Sequence, residues 1–132
     1  MIVVDTNVIA CLYLPREFTS RAEALLVRDA DWRAPPLWRS EFRNILAGYL
    51  RRGNLTAAQA LAIQLEAESL MASGEEIPDS HCVLALVCGS DCSAYDCEFV
   101  AVAQMLGAPL ITMDAKLLRA FPKTARSLGA SD

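Results

Sequence analysis

The chain has 132 residues, 54% of them apolar and 21% charged, with a formal net charge of −4. That length and balance suit one folded domain with its own core, and they exclude a disordered tail or a protein coated in positive charge. No apolar run approaches the roughly 18 residues of a membrane span, and Asp5 interrupts the apolar start where a secretory signal needs an unbroken stretch. A cytoplasmic protein with no membrane partner is expected. Cys11, Cys82, Cys88, Cys92 and Cys97 are odd in number, show no C-x-x-C spacing and have only His81 as a nitrogen companion. They read as small buried thiols in a reducing compartment rather than as zinc ligands.

Along the chain, Ile2-Val3-Val4 is a β-branched run suited to a buried strand. A helix is predicted from about Val8 and another over 20–28, with a short second strand at Trp32-Arg33-Ala34. Residues 38–52 predict a helix stopped by Gly53, which suits the left-handed position after a helix end. Thr56 and Gln59 form a capping box for a long helix whose apolar pattern includes Leu61, Leu65 and Leu70. Shorter helices are predicted over 80–87 and 95–106. Leu110-Ile111-Thr112 is a second clear strand, followed by a helical turn over 116–119. Strands near both ends of a helix-rich chain predict an α/β fold: a small parallel sheet covered by helices.

Within that layout certain acids are out of place. Asp5 and Asp114 follow the two best strands, at the carboxyl edge where open α/β sheets bind ligands. Glu41 lies on the predicted inward stripe of its helix, with Trp38, Phe42, Ile45, Leu46 and Tyr49. Asp96 precedes Phe99, Val100, Ala103 and Leu106 on the buried side of the next long helix. Each has an ordinary explanation. Aspartate caps helices after strands, a glutamate can snorkel, and a helix amino end favours an anion. Together they suggest convergence, because carboxylates brought close need a compensating cation. Oxygen ligands without a His or Cys cluster suit Mg²⁺ or Mn²⁺, whose chemistry with a nucleic acid is phosphodiester hydrolysis.

Asp5-Thr6-Asn7 after a strand, Glu41 on a central helix, Ser93-Ala94-Tyr95-Asp96 opening a helix and Thr112-Met113-Asp114 after a strand resemble, in this order, the PIN-domain family. The resemblance runs from residue 1 to about 122, at a size similar to its VapC-type toxins. It implies one PIN-like, three-layer α/β domain over 1–132 and an Mg²⁺- or Mn²⁺-dependent endoribonuclease. The same resemblance implies a homodimer restrained by a small antitoxin that occludes the site. Asp5, Glu41, Asp96 and Asp114 would then be the catalytic, metal-binding acids, with Thr6, Asn7 and Thr112 orienting them. Two departures stand out. Cys97 and Glu98 replace smaller or apolar residues after Asp96. Lys116 and Leu117 occupy positions where relatives often carry a further acid, which leaves one ion firmly expected. Glu98 and Asp91 are spare candidates for a second ion but are expected at the surface, and His81 at the surface or in packing.

For RNA contacts, Arg39 and Arg43 beside Glu41, and Lys116 and Arg119 after Asp114, are the candidate phosphate ligands. Rival readings fit less well. An aspartyl-phosphate phosphatase would need D-x-D, but position 7 is Asn. A receiver domain would need its acceptor on a later strand. A catalytically silent PIN-fold binding module would not need all four acids, and a nuclease of RNA processing without an antitoxin remains an alternative.

Overall fold

The computed structural model describes residues 1–15 and 17–129. Ile2-Val3-Val4 forms β1 (Ile2–Val4), in which Val3 and Val4 are fully buried. A strand buried on both faces belongs inside a parallel sheet. Here β1 lies between β2 (Trp32–Arg33) and β3 (Leu110–Thr112), and β4 (Ala125–Ser127) is added beyond β3. Every pairing is parallel, with Val4 opposite Ile111 and Ile111 opposite Arg126. The connecting helices are α1 (Thr6–Tyr13), α2 (Thr19–Arg28), α3 (Leu37–Arg51), α4 (Ala57–Met71), α5 (Ser80–Cys88), α6 (Ala94–Leu106) and α7 (Ala115–Ala120). The fold is α/β, as expected. Among the described residues, no helix is long and apolar enough to cross a membrane.

Helix α1 packs against β3, and α6 packs against β1 and β3. The face of α3 that buries Trp38, Phe42 and Leu46 faces inward. There the Phe42 ring meets Trp38 and Tyr13 edge-on, at centroid distances of 5.9 and 6.4 Å. Such pairs add about 0.5–1.5 kcal/mol beyond the area they bury. Helix α4 begins at the expected capping box, in which Thr56 and Gln59 satisfy each other's backbone N–H groups. Gly53 and Gly107 take φ of +74° and +64°, the left-handed conformation that ends α3 and α6 with no Cβ penalty.

Several expectations need correction. Helix α1 starts at Thr6 rather than near Val8, because the Asp5 carboxylate accepts the Thr6 N–H and caps the helix directly off the strand. On α4 Leu61 and Leu65 face outward, 59% and 54% exposed, while Leu70 packs half-buried against the core as expected. Ala60, Gln64, Ala67 and Met71 turn inward. The small side chains let α4 approach α3, and Gln64 is tolerated because its amide donates to Glu68 and to the Arg39 carbonyl. Strand β4, which the sequence did not announce, has no apolar run and exists by its ladder to β3. Of the cysteines, all free, Cys11, Cys92 and Cys97 are buried but Cys88 is exposed.

Candidate active site

Parallel strands β1 and β3 end side by side, and the Asp5 N–H donates to the Ile111 carbonyl at 2.9 Å. This continuation of the ladder fixes Asp5 at the sheet's carboxyl edge, with 7% of its surface exposed. Its Oδ1 accepts the Thr6 N–H at 2.8 Å. Its Oδ2 accepts the Thr112 hydroxyl at 2.6 Å and the Asn7 amide at 3.5 Å. The Thr112 Oγ1 in turn accepts the Asp114 N–H at 3.0 Å, so one buried hydroxyl ties the ends of two strands together. Asn7 Oδ1 accepts the Met113 N–H at 3.3 Å, which pins the same two segments a second time.

The other acids arrive from helices. Thr6 donates its hydroxyl to Glu41 Oε1 at 2.7 Å, linking α1 to α3. Ser93 caps α6 by accepting the Asp96 N–H, which places Asp96 in the first turn. Asp114 caps α7 by accepting the Lys116 N–H at 2.8 Å. Asp5, Glu41, Asp96 and Asp114 thereby line one open cleft of about 510 Å³, together with Thr6 and Asn7. Thr112 lies beneath it, fully buried.

Burial first, and then neighbouring charge, raises three of the acids. Burial pushes the Asp5 carboxyl up to about 6, against the lowering effect of its Thr112 and Thr6 hydrogen bonds, and the charges of Asp96 and Asp114 add to the rise. Glu41 is raised, first by burial and then by Asp5, Asp96 and Glu98, with the Thr6 hydroxyl opposing. Asp96 is raised by burial and by Asp114, while Ser93 and Lys116 pull it back. A cation among these oxygens would relieve the repulsion.

Among the described residues, no three Asp, Glu, His or Cys side chains gather into a ready-made metal cage. The oxygen-only donor set fits a hard divalent ion that keeps several waters and takes one or two carboxylates plus a substrate phosphate. Such an ion requires an open site of this kind rather than a closed one.

Other candidates fall differently. Arg39 and Arg43 sit two residues either side of Glu41, about 200° around the helix from it, and neither lines the cleft. Arg39 instead forks onto Glu75, with two contacts of 2.7 Å, and reaches Glu68 at 3.1 Å. Arg43 lies 3.8 Å from Glu68. Both therefore belong to the seam between α3, α4 and the Glu75 segment. Lys116 and Arg119 are exposed on α7, beside the cleft rather than in its lining. Glu98, expected at the surface, is half-buried and acts on Glu41. Asp91 and His81 are exposed. Ser40, Asn44 and Tyr95, not among the expected site residues, also line the cleft wall. Asn44 was findable one turn after Glu41, and Tyr95 beside Asp96, but neither type is unusual on a helix.

A parallel sheet with acids gathered at its carboxyl edge, in this chain order, defines the class. The chain belongs to the PIN domain family, whose model matches residues 2–123. Among individual proteins it is similar to "Ribonuclease VapC3" of Pyrobaculum aerophilum, 30% identical over 127 residues, a match covering 92% of this chain and 95% of that protein. In fold it is similar to the FitAcB crystal structure from Neisseria gonorrhoeae, with a TM-score of 0.71 and 22% identity over 97% of this chain and 98% of that one. It is equally similar to FitAB bound to the IR36 DNA fragment, with a TM-score of 0.73 and 20% identity over 100% of this chain and 98% of that one.

Proposed function

We propose that this protein is an endoribonuclease that uses Mg²⁺ or Mn²⁺ at the acidic cleft, and that it is the toxin of a toxin–antitoxin pair. The observation that carries the reading is the convergence of Asp5, Glu41, Asp96 and Asp114, from separate elements, on one cleft at the sheet's carboxyl edge. Its similarity to a protein named a ribonuclease supports RNA as the substrate. A divalent ion bound there supplies neutralisation of charge on the phosphate and an activated water.

The chain's own residues do the positioning. Asp5 presents a carboxylate whose direction is set by Thr6, Asn7 and Thr112. Glu41 is steered by the Thr6 hydroxyl, so a single residue orients acids on two elements. Asp114 is fixed by its own backbone bond to Thr112 and by its cap on α7. Tyr95, 64% exposed on the cleft wall, offers an aromatic face on which an unpaired base can stack. This reading also takes an antitoxin and a second copy of the chain as partners, in the cytoplasm. Exposed Leu61, Leu65 and Leu84 supply apolar surface for such contacts.

The test is incubation of the purified protein and an Asp5→Asn variant with total RNA in Mg²⁺, Mn²⁺ or EDTA. Discrete products are expected with either metal, and none with EDTA or the variant. Equal cleavage by Asp5→Asn would sink the site assignment, and no cleavage under any condition would sink the nuclease reading.

A further inference from the structure

The basic side chains are unevenly neutralised. Arg33 lies against Asp31 and Glu76, Arg39 and Arg43 against Glu75 and Glu68, and Arg21 on the Gly129 carbonyl. Two stretches carry at least three cations and no aspartate or glutamate: 42–65, whose Arg51 and Arg52 stand at the end of α3 away from Glu41, and 115–129, which carries Lys116, Arg119, Lys123 and Arg126. All four are exposed, and none forms an ion pair among the described residues.

These cations are also laid out in order from the cleft. Asp114 caps α7, so Lys116 stands at the cleft rim, close enough to act on Asp96. Arg119 follows one helical turn later. The Thr124 carbonyl accepts the Leu110 N–H at 2.9 Å, which brings Lys123 beside the amino end of β3, at the opposite edge of the sheet. Arg126 then sits on β4, in register with Ile111. Lys123 and Arg126 flank a cavity of about 280 Å³ that Gln104 and Thr124 also line.

On a chain of net charge −4 with an acidic cleft, the summed charge opposes the approach of a polyanion. An acid-free run of spaced cations that starts at the cleft rim is where a phosphate backbone can approach. We infer that single-stranded RNA extends from the cleft along α7 to β4, its phosphates held by Lys116, Arg119, Lys123 and Arg126. This rests on the nuclease reading and adds to it a contact path remote from the cut. Phosphate contacts position a strand without reading its sequence, so the path supplies affinity and register rather than specificity.

The experiment is anisotropy of a labelled, mixed-sequence single-stranded RNA in EDTA, titrated over a range of salt. For single strands each phosphate contact adds about 0.7 to the slope of log affinity against log salt. The distal pair Lys123→Gln/Arg126→Gln is expected to lower the slope by about 1.4 and to weaken all sequences alike. Arg51→Gln/Arg52→Gln, at the far end of α3, should leave the slope unchanged. A wild-type slope in the distal variant, or no RNA binding by the wild type, overturns the path. So does a loss seen with phosphatidylglycerol vesicles and not with RNA, which would assign the strip to a membrane surface. Cleavage is scored separately with the Asp5→Asn variant. Normal cutting with an unchanged slope removes the path alone, while a path-dependent slope without metal-dependent cutting removes the nuclease reading alone.

Discussion

Asp5 carries opposing demands at a single position. On the proposed function its carboxylate must stay in place for a cation, yet it is almost fully buried, and burial lifts its pKa from 3.8 to about 6. Between those values the folded chain holds a proton that the unfolded chain has released. Stability of the metal-free protein should therefore be highest below about pH 4 as far as this group is concerned, and fall as pH rises to about 6. The full swing is about 3 kcal/mol. Asparagine keeps the shape and is a good helix cap, but it has no charge to desolvate. In EDTA at pH 8, Asp5→Asn is expected to be more stable than the wild type, and its urea midpoint should lose this part of the pH dependence. A less stable variant at pH 8 would mean that the hydrogen bonds from Thr6 and Thr112 outweigh the burial penalty.

Among the elements, α4 gives the sharpest contrast between pattern and packing. Leu61→Gln/Leu65→Gln should change the unfolding free energy of the isolated chain by no more than about 0.5 kcal/mol per site, since both are exposed. Met71→Ala, at a fully buried position, should cost about 2–5 kcal/mol. The reverse ranking in chemical denaturation would restore the leucines to the core. The same helix shows where the sequence was readable. The Thr56–Gln59 box and Gly53 are local signals, interpretable without tertiary context, and both appear in the structure. The phase of α4 was readable only at Leu70, because leucines mark an apolar face only when a neighbour covers them, and over the first turns alanines make the contact instead. Strand β4 was hidden for a related reason: its pairing is supplied by β3 rather than by its own composition. In the cleft, Asp5 and Asp114 were legible from the strand ends and Glu41 and Asp96 from helical phase. Arg39 was misplaced because its partners, Glu68 and Glu75, are distant in sequence.

Taken as a whole, the molecule separates its charge: acids converge at the carboxyl edge of the sheet, and the stretch 115–129 that follows them carries four exposed cations and no acid of its own. Binding of a divalent ion to the folded cleft should stabilise the whole fold, because the unfolded chain scatters the same acids. At pH 8, Mg²⁺ or Mn²⁺ at tenfold above its dissociation constant is expected to add about 1.4 kcal/mol. Asp5→Asn should lose most of that gain. Calorimetry or thermal melts with and without metal would measure it, and an equal shift in the variant would place the ion elsewhere.

The Thr112–Asp5 hydrogen bond spans 107 residues of sequence, and β1 sits between partners drawn from both halves of the chain. A parallel sheet of this order is completed only after its late strand arrives. During translation, Asp5 emerges from the ribosome long before Thr112 and Asp114 exist. A nascent chain therefore lacks the hydroxyl that orients Asp5 and one wall of the cleft. On the function proposed here, each molecule acquires its cutting site only after β3 and Asp114 have been made and have paired with β1, and until then the chain is incompetent.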